Sequence, residues 1–213
     1  MVISIDGMSA AGKSTLAFNL AKKLNLKYLN SGSIYRCIAL KVMNNEIDIN
    51  DNNLDDIISN LDVDFVFCDD KQIVYLDKKD VTVDIKMEEV SVFTPKIANN
   101  QVLKKAIRKI QKKFVDNGNV VIEGRDIGTR IAPSADYKFY LYSSLEKRAE
   151  RLYNGIKDKQ DVTYDEVYDN LKKRDKKDIE DGNFIKPENA IEIDTTDLNL
   201  DEALEMMLSY IEE

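Results

Sequence analysis

The feature that most constrains the fold is an eight-residue pattern near the start of the sequence, Gly7-Met8-Ser9-Ala10-Ala11-Gly12-Lys13-Ser14. It has the form G-x-x-x-x-G-K-[ST]. An apolar run at residues 2–6 precedes it and predicts a buried strand, while Leu16, Leu20 and Leu24 follow at helical spacing. A strand before the pattern and a helix after it are the context in which it binds phosphate. A chance Lys-Ser in a glycine-bearing turn is the alternative, and the flanking elements disfavour it.

Each position of this loop has a separate physical task. Gly7 and Gly12 permit backbone conformations and close approaches that a Cβ would block. Successive N–H groups can form a concave anion site, and the following helix adds its positive end. Lys13 can place a charge on the outer phosphates, and the Ser14 hydroxyl suits a Mg²⁺ ion. The loop therefore predicts nucleotide binding, without distinguishing transfer from hydrolysis or sensing.

The composition removes several classes of chemistry. The 213 residues contain no histidine, which excludes histidine triads and histidine metal sites. The two cysteines, Cys37 and Cys68, are too few for a disulfide framework and favour a reducing compartment. A net charge of −8 disfavours nucleic acid as a partner. No run approaches the ~18 apolar residues of a membrane span, and the N-terminal residues lack signal-peptide features, so we expect a cytoplasmic protein without a membrane partner.

Strand and helix patterns alternate along the chain, without internal repeats. Apolar runs predict strands at 27–30, 120–123, 137–142 and 191–194, and helical periodicity predicts helices around 34–42, 102–114, 145–152 and 200–211. Residues 63–67 and 73–77 predict a hairpin, which 81–85 would extend into a small antiparallel sheet. The charged segment 154–183 contains a capping box formed by Thr163 and Glu166. These patterns predict a parallel α/β core with two excursions.

Further motifs narrow the function. They are N-S-G-S-I-Y-R at 30–36, E-G-R-D-I-G-T at 123–129, R-D-K-K-D at 174–178 and I-D-T-T at 193–196. With the phosphate loop, they resemble the bacterial cytidylate kinases, a branch of the nucleoside monophosphate kinases, over nearly the full length. Their order and spacing make this resemblance more specific than the loop alone.

The resemblance implies a fold class and a domain division. The class is α/β, with a parallel-sheet P-loop kinase core, a small β-rich insert that binds the nucleoside monophosphate, and a helical lid. The core would comprise residues 1–30, 101–151 and 186–213. The insert would be part of an NMP-binding region at 31–100, and the lid would cover 152–185.

The resemblance also implies the ATP contacts. Residues 7–15, which end at Thr15, would hold the ATP phosphates, and Arg148 and Arg151 would lie near them. Ser14 would be the Mg²⁺ ligand. For both arginines the alternative is a solvent-exposed ion pair with Glu146 or Glu150 of the same predicted helix.

The acceptor contacts follow from the same resemblance. Ser31 and Arg36 would hold the monophosphate of CMP, and Arg125 and Asp126 would approach the same nucleotide. Lys104 stands where the family has an arginine that helps to recognise the acceptor. Lys13, Arg125, Asp126 and the lid residue Arg174 would form the catalytic set. Arginine suits this task because its planar fork holds two phosphate oxygens at once.

Several positions depart from the family pattern. Asn30 and Glu123 stand where the family generally has Asp, and Pro95 stands where it has a nucleotide-contacting Ser. Leu152 replaces the last arginine of an R-A-x-R-R segment, and Asp181 replaces a second lid arginine. The last exchange alters local charge by two units at a surface expected to face phosphate. The contacts to the base are expected from the insert, but the sequence does not identify them.

We therefore predict a Mg²⁺-dependent enzyme that transfers the γ-phosphoryl group of ATP to CMP or dCMP, and a monomer. One alternative is the same reaction on another small acceptor, such as UMP or a non-nucleotide alcohol. A second alternative is a P-loop regulatory protein that binds nucleotide without transfer.

Overall fold

The computed structural model describes residues 1–45, 47–49, 54, 58, 61–68, 71–158, 160–180, 182 and 184–212. The strands are β1 Val2–Gly7, β2 Lys27–Asn30, β3 Val63–Cys68, β4 Lys71–Leu76, β5 Lys79–Asp80, β6 Val120–Glu123, β7 Tyr137–Tyr142 and β8 Ile191–Asp194. The α-helices, numbered along the chain, are α1 Lys13–Lys23, α2 Ser31–Asn44, α3 Glu88–Asn99, α4 Gln101–Asp116, α5 Leu145–Ile156, α6 Tyr164–Glu180 and α7 Leu200–Glu212. The chain divides into two compact units, one of Met1–Leu26 with Val121–Glu213 and the other of Lys27–Val120.

The first unit is built around a parallel sheet. Within it, the strands lie in the order β6-β1-β7-β8. β1 pairs in parallel with β7, and β7 pairs in parallel with β8. In such a sheet ligands bind beyond the carboxyl ends of the strands. β1 ends at the phosphate loop, and β6 and β8 end at two of the other motifs, so the sheet brings these segments to one edge.

The strands of this sheet are apolar because helices cover them. Ile3, Ile5, Phe139 and Leu141 are fully buried, as expected for strands that are covered on both faces. The apolar stripe of α1 is buried too, and this helix packs against α7. The predicted α/β fold is therefore confirmed.

The second unit combines a small antiparallel sheet with helices. β3 pairs with β4 and β4 with β5, both antiparallel. Helices α2, α3 and α4 pack against one another. Phe65 of β3 meets Phe114 of α4 edge to face, with ring centroids 5.5 Å apart.

The hairpin and its extension into a small antiparallel sheet are confirmed, but the predicted position of the third strand, residues 81–85, is wrong. The third strand is Lys79–Asp80, and a 3₁₀ turn occupies Asp84–Lys86. Helix α3 was not predicted, because Pro95 interrupts the sequence pattern although the structure accommodates it inside the helix. Among the described residues, no helix combines the length and the hydropathy needed to cross a membrane.

Candidate functional site

The phosphate loop runs from the end of β1 to the start of α1. Gly7 has φ +144° and a Cβ there would lie 2.0 Å from the Leu141 carbonyl oxygen, so a side chain is excluded by contact as well as by conformation. Gly12, with φ +88°, leads into α1, and the amide of Leu16 donates to its carbonyl at 3.0 Å. Both glycines therefore adopt positive φ values, as the sequence predicted, and phosphate binding by the loop stays a prediction.

Lys13 bonds to the loop itself. Its Nζ donates to the Met8 carbonyl at 2.6 Å. Burial lowers the pKa of the Lys13 ammonium group to about 8, although the nearby carboxylate of Glu123 opposes the shift. A group with this pKa is still mostly cationic at neutral pH, and a phosphate could replace the Met8 carbonyl as its partner.

A serine and a carboxylate meet beside the loop. Ser14 Oγ donates to Glu123 Oε1 at 2.8 Å, joining the start of α1 to the end of β6. Glu123 is buried and Ser14 is exposed. These are the hard oxygen donors that Mg²⁺ prefers. No cluster of three or more acidic or cysteine ligands occurs in the described part of the chain.

A pocket of about 510 Å³ opens next to the loop in the first unit. Its wall consists of Ala10–Leu16 together with Arg151, Leu152, Thr195, Leu198, Asn199, Leu200 and Ala203. Arg151 does not pair with the glutamates of α5. It donates to Thr195 Oγ1 at 3.1 Å and to the backbone carbonyls of Thr195 and Leu198. These bonds hold the guanidinium at the pocket wall and assign Thr195, of the I-D-T-T motif, a role that was not predicted.

Arg148 is fixed by a buried ion pair. Its Nη1 lies 2.6 Å from Asp175 Oδ2, and the same nitrogen donates to the Ser9 carbonyl at 3.2 Å. The alternative of a solvent-exposed pair with a neighbouring glutamate is wrong for Arg148, because this side chain is buried and pairs with Asp175. Arg148 therefore connects α6 to the phosphate loop.

Arg125 makes a similar connection. Its Nη2 lies 2.9 Å from Asp178 Oδ2 and donates to Ser9 Oγ at 3.3 Å. The guanidinium carbon lies 5.7 Å from the centroid of the Phe184 ring. Burial lowers the pKa of Arg125 from its usual value. The first unit thus brings two predicted phosphate-binding arginines to the same loop residue, Ser9.

Asp175 and Asp178 were missed as partners of these arginines. The R-D-x-x-D motif was interpreted through Arg174, whose side chain is exposed on α6. A signal was nevertheless present, since Asp175 and Asp178 continue the buried stripe begun by Val167 and Leu171. Acidic residues on the buried face of a helix require cationic partners. The predicted capping box of α6 is confirmed, with the Thr163 amide donating to Glu166 at 2.9 Å.

Asp6 holds the turn that follows β6. Its two carboxylate oxygens accept from the amides of Ile127 and Gly128 at 2.8 and 2.7 Å. Burial raises the pKa of Asp6 to about 6, although both hydrogen bonds oppose the shift. Asp126, at the start of this turn, pairs with Arg130 at 3.2 Å. Asp6 thereby fixes the backbone immediately after Arg125 and Asp126.

The other residues predicted to contact the acceptor nucleotide lie in the second unit. Asn30 caps α2 by accepting from the Ser33 amide at 3.0 Å, so the departure from the family's Asp keeps a capping side chain. Ser31 is the first residue of that helix and is buried. Arg36 donates to the Ile85 carbonyl at 3.2 Å, and Lys104 lies half-buried on α4. Asp181 lies outside the described residues, as does the side chain of Cys68.

One hydrogen bond to Ser31 was not predicted from the sequence. Gln111 of α4 is 2% exposed and donates through Nε2 to Ser31 Oγ at 2.5 Å. A second pocket of about 430 Å³ lies elsewhere in this unit, near Lys109, Lys113 and Phe114. It contains none of the predicted site residues. The pocket beside the phosphate loop is lined by loop residues and Arg151, and it is therefore the candidate nucleotide site.

Comparison with known proteins decides the family. The sequence profile of the cytidylate kinases matches residues 3–213. The chain belongs to the cytidylate kinase family. Members named cytidylate kinase include a protein from Caldanaerobacter subterraneus subsp. tengcongensis, 38% identical over 98% of this chain and 93% of that one. Another, from Bacillus subtilis, is 34% identical over 99% of this chain and 96% of its own.

Solved structures agree with the fold. A shikimate kinase from Bacteroides thetaiotaomicron superposes with a TM-score of 0.52 over 100% of this chain and 99% of that one, at 13% identity. An uncharacterized protein from Eubacterium ventriosum gives a TM-score of 0.54 over the same shares, also at 13% identity. At such low identity the likeness concerns the α/β fold alone. The predicted membership of the cytidylate kinase family is confirmed by the sequence matches.

Proposed function

We propose that this protein transfers the γ-phosphoryl group of ATP to CMP or dCMP and forms ADP with CDP or dCDP. The observation that carries the proposal is the full-length match to the cytidylate kinases. The loop geometry around Lys13 supports it independently, because this backbone conformation and this cation suit a polyphosphate.

We assign the donor nucleotide to the first unit. The loop residues 7–15 hold the ATP phosphates, and the pocket beside Arg151 accepts the rest of the nucleotide. Leucine and alanine side chains line that pocket, which suits the flat face of a purine. Lys13 exchanges the Met8 carbonyl for phosphate oxygens, so the exchange costs little reorganisation of the loop.

A magnesium ion fits the residues at the start of α1. Ser14 and Glu123 would hold it, Ser14 through its hydroxyl and Glu123 through bound water. When bound with ATP, Mg²⁺ neutralises charge that develops on the phosphate oxygens during transfer.

We assign the monophosphate of the acceptor to Ser31 and Arg36. Both lie on α2, whose N-terminal end attracts anions through its unpaired amides. Arg36 is fixed by its bond to the Ile85 carbonyl. Arg125, Asp126 and Lys104 remain predicted contacts to the acceptor, and the base contacts are left unassigned.

The reaction needs positioning and charge neutralisation more than acid–base chemistry. The attacking atom is a phosphate oxygen of CMP, which is already ionised at neutral pH, so no general base is required. It forms a bond to the γ-phosphorus as the bond to the β–γ bridging oxygen breaks, and ADP leaves. Lys13, Arg125 and the lid residue Arg174 would stabilise the negative charge of the transferring group. The absence of histidine is compatible with this mechanism.

An acceptor screen tests the proposal. Purified protein with Mg²⁺ and ATP is incubated separately with CMP, dCMP, UMP, AMP and shikimate, and ADP and the phosphorylated products are separated by chromatography. We expect CDP and dCDP as the main products. Transfer to a different acceptor alone would support the alternative kinase, and ATP binding without any product would support a regulatory protein. We expect the protein to be cytoplasmic and the active species to be a monomer. Size-exclusion chromatography with light scattering measures the molar mass and so tests the monomer.

A further inference from the structure

Gln111 occupies a position where the helix pattern calls for an apolar residue. Leu103 and Ile107 precede it at intervals of four on the buried face of α4, and both are fully buried. Gln111 itself is 2% exposed. A buried amide destabilises a protein unless its polar atoms find partners. The partner of the Gln111 amide nitrogen is the Ser31 hydroxyl, 2.5 Å away.

This bond determines what the Ser31 hydroxyl can still do. A hydroxyl has one proton to donate and two lone pairs that accept. Gln111 Nε2 donates, so it occupies a lone pair and leaves the proton of Ser31 available. Ser31 is the first residue of α2, where no carbonyl four residues earlier belongs to the helix. Within the described part of the chain, no hydrogen bond has the Ser31 hydroxyl as donor.

We propose that Gln111 is a positioning residue for the acceptor phosphate. By donating to Ser31 Oγ, it turns the hydroxyl of Ser31 into a dedicated donor for a phosphate monoester oxygen. Nothing else in the function assigned above uses Gln111. The inference rests on the proposed function, because it takes Ser31 to be a contact of the CMP phosphate.

Two substitutions of Gln111 separate positioning from packing. Gln111→Met keeps the length of the side chain and removes the donor. Gln111→Glu keeps the shape but supplies acceptors, which would draw the Ser31 proton inward and place a negative charge near the phosphate. We expect the KM for CMP to rise roughly 10-fold in the first variant and roughly 100-fold in the second, the range for hydrogen bonds to charged groups. The KM for ATP should stay at the wild-type value in both.

A double-substitution cycle tests whether Gln111 acts through Ser31. Ser31→Ala alone should raise the KM for CMP about as much as Gln111→Met does. Adding Gln111→Met to Ser31→Ala should then change that KM little, because the hydroxyl that Gln111 orients is gone. Independent effects that multiply, or an unchanged KM for CMP in Gln111→Met, would overturn the proposal.

Ile107→Val is the control for lost packing, because it alters a buried apolar side chain on the same face of α4 and leaves every polar contact in place. If this variant loses as much thermal stability as Gln111→Met while its KM for CMP is unchanged, packing does not explain the effect. Should Gln111→Met fail to fold, Gln111→Glu and calorimetric titration with CMP provide the same comparison. Wild-type protein that makes no CDP would refute the proposed function, whereas CDP formation that is insensitive to Gln111 would refute this inference alone.

Discussion

Arg148 and Asp175 form an ion pair of 2.6 Å in which the side chains are only 4% and 11% exposed. The two residues are far apart in sequence and belong to α5 and α6. The arginine also donates to the Ser9 carbonyl, so the pair supports the phosphate loop as well as the helix contact. Removing one partner of such a pair leaves an uncompensated charge in the interior.

We therefore expect Asp175→Asn to lower the free energy of unfolding by about 3 kcal/mol, because the Arg148 guanidinium stays buried without its counter-ion. Urea denaturation followed by circular dichroism measures this change. The matched control is Glu150→Gln, which removes an exposed ion pair with Lys147 and should cost less than about 0.5 kcal/mol. Equal effects of the two substitutions would contradict the assignment of Arg148–Asp175 as a buried structural pair.

Replacing the loop lysine should abolish most of the activity while the fold is retained. Lys13→Met removes a preorganised cation from the transferring phosphate, so kcat should fall by roughly 10²–10³. The coupled formation of ADP and CDP is the measurement. Lys23→Met, in the same helix, removes an exposed cation that pairs with Glu205 and serves as the control. Near-normal turnover in Lys13→Met would remove this lysine from catalysis.

The activity should also decline in alkaline solution. The pKa of Lys13 is lowered to about 8 by burial, so its charge is lost as the pH rises through that value. The value of kcat/KM for ATP reports ionisations of the free enzyme, and it should fall about tenfold per pH unit above pH 8. In Lys13→Arg the guanidinium stays charged, so the residual activity should not show this fall. An alkaline limb that persists unchanged in Lys13→Arg would assign it to another group.

The buried Asp6 should make stability depend on pH in mildly acidic solution. Its pKa is raised from 3.8 to about 6, so between these values the native state binds a proton that the unfolded state has lost. Its contribution to stability is therefore present below pH 4 and is lost as the pH rises to about 6, by up to roughly 3 kcal/mol. The difference in unfolding free energy between wild type and Asp6→Asn, measured from pH 4 to 7, isolates this component. A constant difference across the range would show that Asp6 does not titrate there.

The assignment of the acceptor to α2 predicts a selective binding defect. Arg36→Ala should raise the KM for CMP roughly 10–100-fold, the range for losing charged hydrogen bonds, and should leave the KM for ATP close to wild type. Lys86→Ala, an exposed cation beside the Ile85 carbonyl that Arg36 contacts, is the control. Equal increases in both KM values would contradict the division between donor and acceptor residues.

Local sequence signals predicted most of the fold. The apolar runs at β1, β6 and β7 are long enough to identify buried strands, and the capping box at Thr163 marked the start of α6 within one residue. The missed helix α3 has a different cause. Pro95 lacks an amide donor, and sequence patterns treat it as a break, yet the helix continues through it from Glu88 to Asn99.

The candidate site was predicted less completely because its contacts join distant parts of the chain. The loop residues could be recognised because a single motif contains them. The bonds of Arg148 to Asp175 and of Gln111 to Ser31 join residues 27 and 80 positions apart, and no local pattern encodes them. The bonds of Asp6 are of the same kind, since its partners Ile127 and Gly128 lie beyond β6 and more than a hundred positions away in sequence.

The close approach of Gly7 to the Leu141 carbonyl limits which substitutions this protein can accept during evolution. Any side chain at residue 7 would force β1 away from β7, two neighbouring strands of the sheet. A mutation there would damage the scaffold before it could alter nucleotide affinity. Adaptation of this enzyme to other substrates must therefore come from positions outside the first residue of the loop, such as α2 and the pocket wall near Leu152.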